Sequence, residues 1–530
     1  MTHLSPFEGT NLNLLLEDRA RQRPDHPFLV WAPFEGPSRN WTYGQFATDA
    51  ARLAGGLAKR GIGPGDRVLV HFENCPETLL ARFALARLGA ICVATNAMAA
   101  GPEITHYAGS SRATAAITQA KFAELVASHA PDVKWIAVAD SAGPNNGNGS
   151  DSFGELFRDP APAHPARHSD PASIMFTTGT TGKPKGVVWT QANLLWACKY
   201  GAQVYGHRSE DVSLISLPLF HVVGLCWSFL PVLWAGGTSV LQPRFSASRF
   251  WPASLEHRAT LASQVLFTSM ALQQQPVPER HFYRQWTVAR GDSASQAYNR
   301  IPSFVPSWGM TEMIAPTIYG DPLVQAAEGA LGRPSLAHEI RIRHADGQPV
   351  RPGETGELTV KGIRGLSVFL EYDGNPDATR AAFDDEGFFR TGDRVTLLDA
   401  GWIRFSERAS DIIKVGGEGV SPSEIESVVR NVSGVREVAV VGVPDESYGQ
   451  VPVAFVEADS RPGGELEADI LASCRGALAK FKVPRRIVIL PELPRIGNAK
   501  IAKAKLRQMI QSETESHGSD KQCSVKVTGP

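Results

Sequence analysis

The sequence predicts an α/β protein with a large N-terminal domain of β-sheets flanked by helices and a small α/β C-terminal domain. Three observations carry this. Over the first four hundred residues, short apolar runs such as DRVLVHF (66–72) alternate with helical stretches such as PETLLARFALARLGA (76–90), the rhythm of β-α units around largely parallel sheets. At 530 residues the chain is too long for one hydrophobic core. Near Ser406 to Asp411, a strand-like run passes into the polar, glycine-rich IIKVGGEGVSPSEIE, which divides a domain at 1–409 from one at 410–512. The last stretch, 513–530, is polar and expected to be a disordered tail.

Taken in order, the N-terminal leucines of NLNLLLEDRARQ fall at amphipathic spacing and predict a surface helix. No basic segment followed by a long apolar run is visible there, so neither a secretory signal nor an anchor is expected. SAGPNNGNGSDS (141–152) reads as an exposed connection within the large domain. Between Asp211 and Arg244 no charged residue occurs, a length that could span a bilayer. Pro218, Pro231, Gly236, Gly237 and His221 interrupt it, which favours a buried strand and helix. Past the domain boundary, SPSEIESVVRN has Ser421 as N-cap, Pro422 at the first helical position and Glu424 three residues on, the signature of a capping box. VREVAVVGVPD and VPVAFVEAD then read as strands.

Charge restricts the partners. Lys plus Arg, 53, nearly cancels Asp plus Glu, 54, so no global field would recruit nucleic acid or an anionic membrane, and any anion site must be local. Cys75, Cys92, Cys198, Cys226, Cys474 and Cys523 lack CxxC or His-paired spacing, which argues against zinc and against a disulfide framework and fits a reducing cytoplasm.

The local anion site is MFTTGTTGKPKGVVWT (175–190). Glycines admit backbone amides close to a ligand, threonine hydroxyls add donors and lysines add charge, so Thr177 to Lys185 suits an oligophosphate. A Walker A loop is excluded, because Gly179 and Gly182 enclose only two residues and Lys183 is followed by Pro184. A Thr/Gly-rich surface hairpin is the plainer alternative, and the apolar SIMF strand before it argues against that.

TTGTTGKPKGV (177–187) resembles the phosphate-binding loop of the adenylate-forming superfamily of acyl-CoA and aryl-CoA synthetases, luciferases and peptide-synthetase adenylation domains. In the family's order follow SWGMTE (307–312), GELTVKG (356–362), FFRTGD (388–393), ERASDIIKVGGEGVSPSEIE (407–426) and LPRIGNAKIAK (493–503). KGIRGLSVFLEYDGNPDAT (361–379) looks most like the carnitine/crotonobetaine-type ligases.

The resemblance implies ATP-dependent conversion of a carboxylic acid to an acyl-adenylate, then thioester formation with coenzyme A. The alternative is delivery of the adenylate to a carrier-protein thiol or a partner enzyme. By the resemblance, Thr177, Thr178, Gly179, Thr180, Thr181, Gly182, Lys183 and Lys185 hold the ATP phosphates. Ser307, Trp308 and Gly309 form the adenine segment, with Trp308 stacking on the base. Thr311 donates to the α-phosphate, Glu312 binds Mg²⁺, and Asp393 and Arg408 take the ribose. Lys500 is the catalytic cation of a mobile small domain that turns about a hinge near Ser410, with Lys503 and Lys505 as a solvated face. Lys414, Gly416 and Gly417 serve the coenzyme A half-reaction. His221 stands beside the acyl pocket, with Val222, Val223, Gly224 and Ser293 as lining. Small groups there, Ser307 among them, would leave room for a bulky or ring-containing acid. The chain departs from the family pattern at Ser410, Gly419, Ala499 and RGDSAS (290–295).

Overall fold

The computed structural model describes residues 5–139, 151–165, 167–177, 184–289, 300–321, 324, 326–408, 412–458, 463–496, 500–503 and 505–510. The SAGPNNGNGSDS connection up to residue 150, and the 513–530 tail, lie outside them. The chain divides into two compact units, one of Met1–Thr177 with Lys185–Ala409, the other containing Ser410–Pro530.

Two sheets dominate the first unit. One orders its strands Arg333–Pro334, Ile318–Tyr319, Ser303–Trp308, Gln285–Ala289, Leu261–Val265, Val212–Ile215, Thr238–Leu241, Pro27–Trp31 and Arg39–Thr42. The other runs Glu371–Tyr372, Lys185–Thr190, Pro171–Thr177, Ile91–Thr95, Arg67–His71, Ala115–Gln119, Ile136–Ala139 and Asp151–Ser152. Interior pairs are parallel and the antiparallel pairs lie toward the edges, as βα crossovers demand. A single core joins the inner faces of both sheets through the helices between them. The Pro76–Leu88 helix lies there, buried almost all round, with proline at its first position and Gly89 at φ 70° ending it. Separate clusters cover the two outer faces. A third sheet, Glu339–Arg343, Thr355–Lys361, Phe389–Leu397 and Ile403–Arg408, is antiparallel throughout, a layer that the β-α rhythm does not predict.

The uncharged stretch folds as the strand Val212–Ile215, a π-helical turn Val223–Phe229, the helix Leu230–Ala235 and the strand Thr238–Leu241, buried in the shared core. Among the described residues no helix is long and apolar enough to cross a membrane.

In the second unit, Val435–Asp445, Gly449–Ala458 and Arg486–Leu490 form a sheet with the Ile413–Val415/Glu418–Val420 hairpin. The helix Pro422–Arg430 does start at Ser421, but the capping box does not form. The Ser421 hydroxyl meets Ser423 Oγ at 2.8 Å, and Glu424 instead accepts from buried Lys482 Nζ at 2.9 Å. A buried ammonium left without a carboxylate costs more than a helix end left without its cap, so the ion pair wins.

A buried histidine, His71, and a half-buried one, His207, make the first unit acid-sensitive. Burial pushes His71 and His207 down to about 4; for His207 the nearby Arg284 lowers it further and Asp211 opposes. Each therefore binds a proton more readily unfolded than folded, so stability is full above the ordinary histidine value of 6.5 and declines as pH falls from there toward 4. The expected loss at pH 4 is about 3 kcal/mol per histidine, and urea midpoints should drop over that window, with a shallower drop in His71→Gln.

Candidate active site

The Thr/Gly-rich segment is bounded by an antiparallel pair in which Thr177 sits opposite Lys185, so its two ends are held side by side. Thr178, Gly179, Thr180, Thr181, Gly182 and Lys183 lie outside the described residues, as does Ser293. Lys185 Nζ stands 4.8 Å from the Tyr372 ring centroid, a cation–π contact, and the Tyr372 hydroxyl donates to Glu312 Oε1 at 2.8 Å. One side chain thus links the lysine at the end of the loop to the carboxylate of the SWGMTE segment.

That segment is fastened on several sides. The Trp189 indole donates to Thr311 O at 3.0 Å, and Phe369 N to Glu312 O at 2.8 Å. Phe369 is itself placed by a helix cap: Thr190 and Asn193 cap the Gln191–Val204 helix reciprocally, and the same Asn193 amide donates to Leu366 O at 2.7 Å and Val368 O at 3.1 Å. Immediately after the Thr311–Met313 turn, Ile314 adopts φ 62°, ψ −55° while fully buried. A β-branched residue at positive φ is strained by about 1–3 kcal/mol and persists only where its surroundings hold it. The Trp227 indole provides one such hold, donating to Ile314 O at 3.1 Å.

Trp308 is 3% exposed, and its indole N–H donates to Asp393 Oδ2 at 2.9 Å. The aromatic of the SWGMTE segment therefore orients the carboxylate of the FFRTGD segment, a link that the motifs, read separately, do not reveal. Asp393 N also donates to Thr391 Oγ1 at 3.0 Å, and Arg408 is its cross-strand neighbour.

The proposed acyl lining follows the Val212–Ile215 strand. His221 is half-buried, its N–H bonded to Pro218 O at 3.1 Å and its ring 4.8 Å from Phe220. Val222 and Val223 are half-buried too. Gly224 and Ser307 do not leave room for a bulky acid. A Cβ on Gly224 would stand 2.2 Å from Pro218 O, so the position is small to let backbone pass. Ser307 is fully buried, with Tyr205 Oη 3.0 Å from its Oγ. At Gly309 a Cβ would stand 2.7 Å from Trp227 Cζ2. In each case the protein's own atoms occupy the space.

In the second unit, Gly416 and Gly417, at φ 58° and 92°, make the two-residue turn of a tight hairpin with Val415 opposite Glu418, and Lys414 N donates to Gln450 Oε1 at 2.9 Å. Lys500 pairs through its backbone with Ile496. Lys503 is not a solvated face, since its Nζ donates to Glu426 Oε1 at 2.7 Å. Ser410 and Ala499 lie outside the described residues.

Sequence reasoning missed Tyr372, Trp189, Tyr205 and Trp227. The first was visible in FLEYDGN, but only as part of a likeness to one group of ligases.

Comparison with known proteins gives a consistent result. The model of the AMP-binding enzyme family matches residues 16–372, and that of the AMP-binding enzyme C-terminal domain matches 424–500. A crotonobetaine/carnitine–CoA ligase of Salmonella paratyphi A is 32% identical over 518 residues, 94% of this chain and 99% of the relative. Among solved structures, a double mutant of o-succinylbenzoate CoA synthetase from Bacillus subtilis, bound to a product analogue, has TM-score 0.80 at 28% identity, covering 94% of this chain and 99% of its own. A benzoate CoA ligase from Burkholderia xenovorans has TM-score 0.68 at 26% identity, covering 94% and 100%.

Proposed function

The chain belongs to the AMP-binding enzyme family, and on that premise we propose how its own residues divide the work of an acid–thiol ligase. The reaction joins a carboxylic acid to ATP with release of pyrophosphate, then passes the acyl group from the adenylate to coenzyme A with release of AMP. The first step brings two anions together, so catalysis comes from donors and positive charge set around the reacting phosphorus.

The observation that carries the assignment is the line from Lys185 through Tyr372 to Glu312, which puts a phosphate-binding lysine and a buried carboxylate under one tyrosine. The 177–185 loop binds the β- and γ-phosphates, and Thr311 donates to the α-phosphate. Asp393, held by Trp308, accepts from the ribose hydroxyls, with Arg408 beside it. Among the described residues no group of three acids, histidines or cysteines gathers, so Glu312 offers a single hard oxygen donor. That donor set fits magnesium, which takes one or two carboxylates plus phosphate and water. The ion, when bound, would neutralise charge on the phosphate oxygens. Lys500 supplies a cation to the adenylation step, and Lys414, Gly416 and Gly417 serve the thiol step.

The acid lies at the carboxyl ends of the parallel strands Val212–Ile215, Leu261–Val265, Gln285–Ala289 and Ser303–Trp308, where open α/β sheets bind ligands, with His221 at its edge. Free, buried cysteines support a reducing compartment, the cytoplasm. A carrier-protein acceptor finds no support among relatives that are named CoA ligases.

The test is a panel of carboxylic acids with ATP and Mg²⁺, following pyrophosphate and AMP separately with and without coenzyme A. Pyrophosphate that depends on particular acids, with AMP and acyl-CoA appearing only when coenzyme A is added, is the expected result. Adenylate that accumulates regardless of coenzyme A would sink the ligase assignment.

A further inference from the structure

Two aromatic side chains, Tyr205 and Trp227, pack behind the small residues at the carboxyl ends of the parallel strands. The three central strands present one face in layers: Val265, Ala289 and Ser307 in one, and Ser263, Thr287 and Val305 one layer deeper, roughly 6–7 Å further along the strands. The first layer is small, and Val265 and Ala289 are only half-buried, as expected of residues bordering a crevice. Yet no channel follows from the small side chains, because Tyr205 backs Ser307 and Trp227 backs Gly309.

Trp227 comes from the π-helical turn, whose wider winding is itself rare and is often found at functional sites. The turn is braced by Ser228 Oγ, which donates to Val223 O at 2.8 Å. The Trp227 ring is 2% exposed and reaches two places at once. Its N–H meets strained Ile314 and its six-membered edge meets Gly309. It also lines a recess in the deeper layer with His207, Ser213, Ser263, Gln285 and Thr287, about 10 Å³ in volume, room for one water molecule. The recess has a mixed lining, Leu261 and Ala262 included, and two of its residues, His207 and Gln285, each carry a buried nitrogen, Nδ1 and Nε2, without a hydrogen-bond partner.

Resting on the ligase reading, we propose that Trp227 is the partition between the acid crevice and this recess, and that it restricts the enzyme to compact carboxylic acids, excluding long alkyl chains. An acid that extends past the first layer must displace an indole fixed by packing and by a hydrogen bond. Removing the indole joins crevice and recess. The longer acids then admitted are those with a polar end, because His207 Nδ1 and Gln285 Nε2, on residues that line the space beyond, lack a partner.

The experiment compares wild type, Trp227→Ala and Trp227→Phe by acid-dependent pyrophosphate release with butyrate, hexanoate, octanoate and decanoate, and with the ω-hydroxy forms of the last two. For wild type, kcat/KM should fall by at least about 100-fold from butyrate to octanoate, the scale on which a shape-restricted pocket rejects added methylenes. Trp227→Ala should bring that ratio within about 10-fold and favour ω-hydroxyoctanoate over octanoate. Trp227→Phe, which keeps most of the packing, should move the limit partway and serves if the alanine variant does not fold. Wild type that takes decanoate as readily as butyrate overturns the proposal, as does an unchanged length profile in the folded variants. Those results leave the ligase reading standing, whereas no pyrophosphate with these acids or with any acid of the wider panel would remove both.

Discussion

Lys500→Ala is expected to lower acid-dependent pyrophosphate release by about 100- to 1,000-fold, the cost of losing one preorganised charge at a developing anion. The carboxylate and the α-phosphate repel one another, and a cation aimed at both acts in the transition state, not in the binding of either. The loss should therefore fall on kcat, with KM for ATP little changed. Conversion of a supplied acyl-adenylate by coenzyme A should stay within a few-fold of wild type, because in that step a thiolate attacks a carbonyl and the charge problem is different. Lys500→Arg should not rescue, since a planar fork does not replace a point charge on a flexible stem. Lys503→Ala, which breaks the pair with Glu426, provides the control: stability should fall by about 1 kcal/mol or less with adenylation unaffected. Equal losses in both half-reactions for Lys500→Ala would show that the lysine is structural.

Glu312→Gln should cost about 100-fold in kcat/KM for ATP and raise the Mg²⁺ concentration needed for half-maximal rate. Glutamine matches the shape and can still accept from Tyr372 Oη, so the change isolates the charge. Tyr372→Phe isolates the positioning bond instead, and the loss of one hydrogen bond to a carboxylate should cost about 1.5–3 kcal/mol. If Glu312→Gln left the Mg²⁺ dependence untouched, the carboxylate would be a structural acceptor for Tyr372 and nothing more.

The proposed site can be read along the chain because phosphate, ribose and metal chemistry demand particular residue types at short spacing. TTGTTGKPK, WGMTE and RTGD each gather the residues proposed for one task within a few positions. The parallel sheets were legible for a similar reason, since βα units are local. What the sequence withheld are the long-range couplings. Trp308 and Asp393 belong to separate motifs, as do Glu312 and Tyr372, and only the fold brings them within hydrogen-bonding distance. The antiparallel third sheet lacked the helices that make alternation visible. Reading Gly224 and Ser307 as open space failed because a small residue creates a cavity only where nothing packs against it, and here Pro218 and Tyr205 do. Glu424 matched the capping pattern, but no local rule could anticipate the buried ammonium of Lys482 that takes it.

The sheet order also governs how the protein is made. Pro27–Trp31 leaves the ribosome early, but its parallel neighbour is Thr238–Leu241, and the Lys185–Thr190 strand waits likewise for Glu371–Tyr372. At about 5–20 residues per second, the first of these intervals is roughly 10–40 s of synthesis. Throughout it the nascent chain carries Phe28, Leu29 and the apolar flank of the helix Leu12–Gln22 with part of their native cover, Phe229 included, not yet translated. Production of this enzyme therefore depends on keeping an unfinished N-terminal half soluble during translation, a demand set by topology and independent of how stable the completed molecule is.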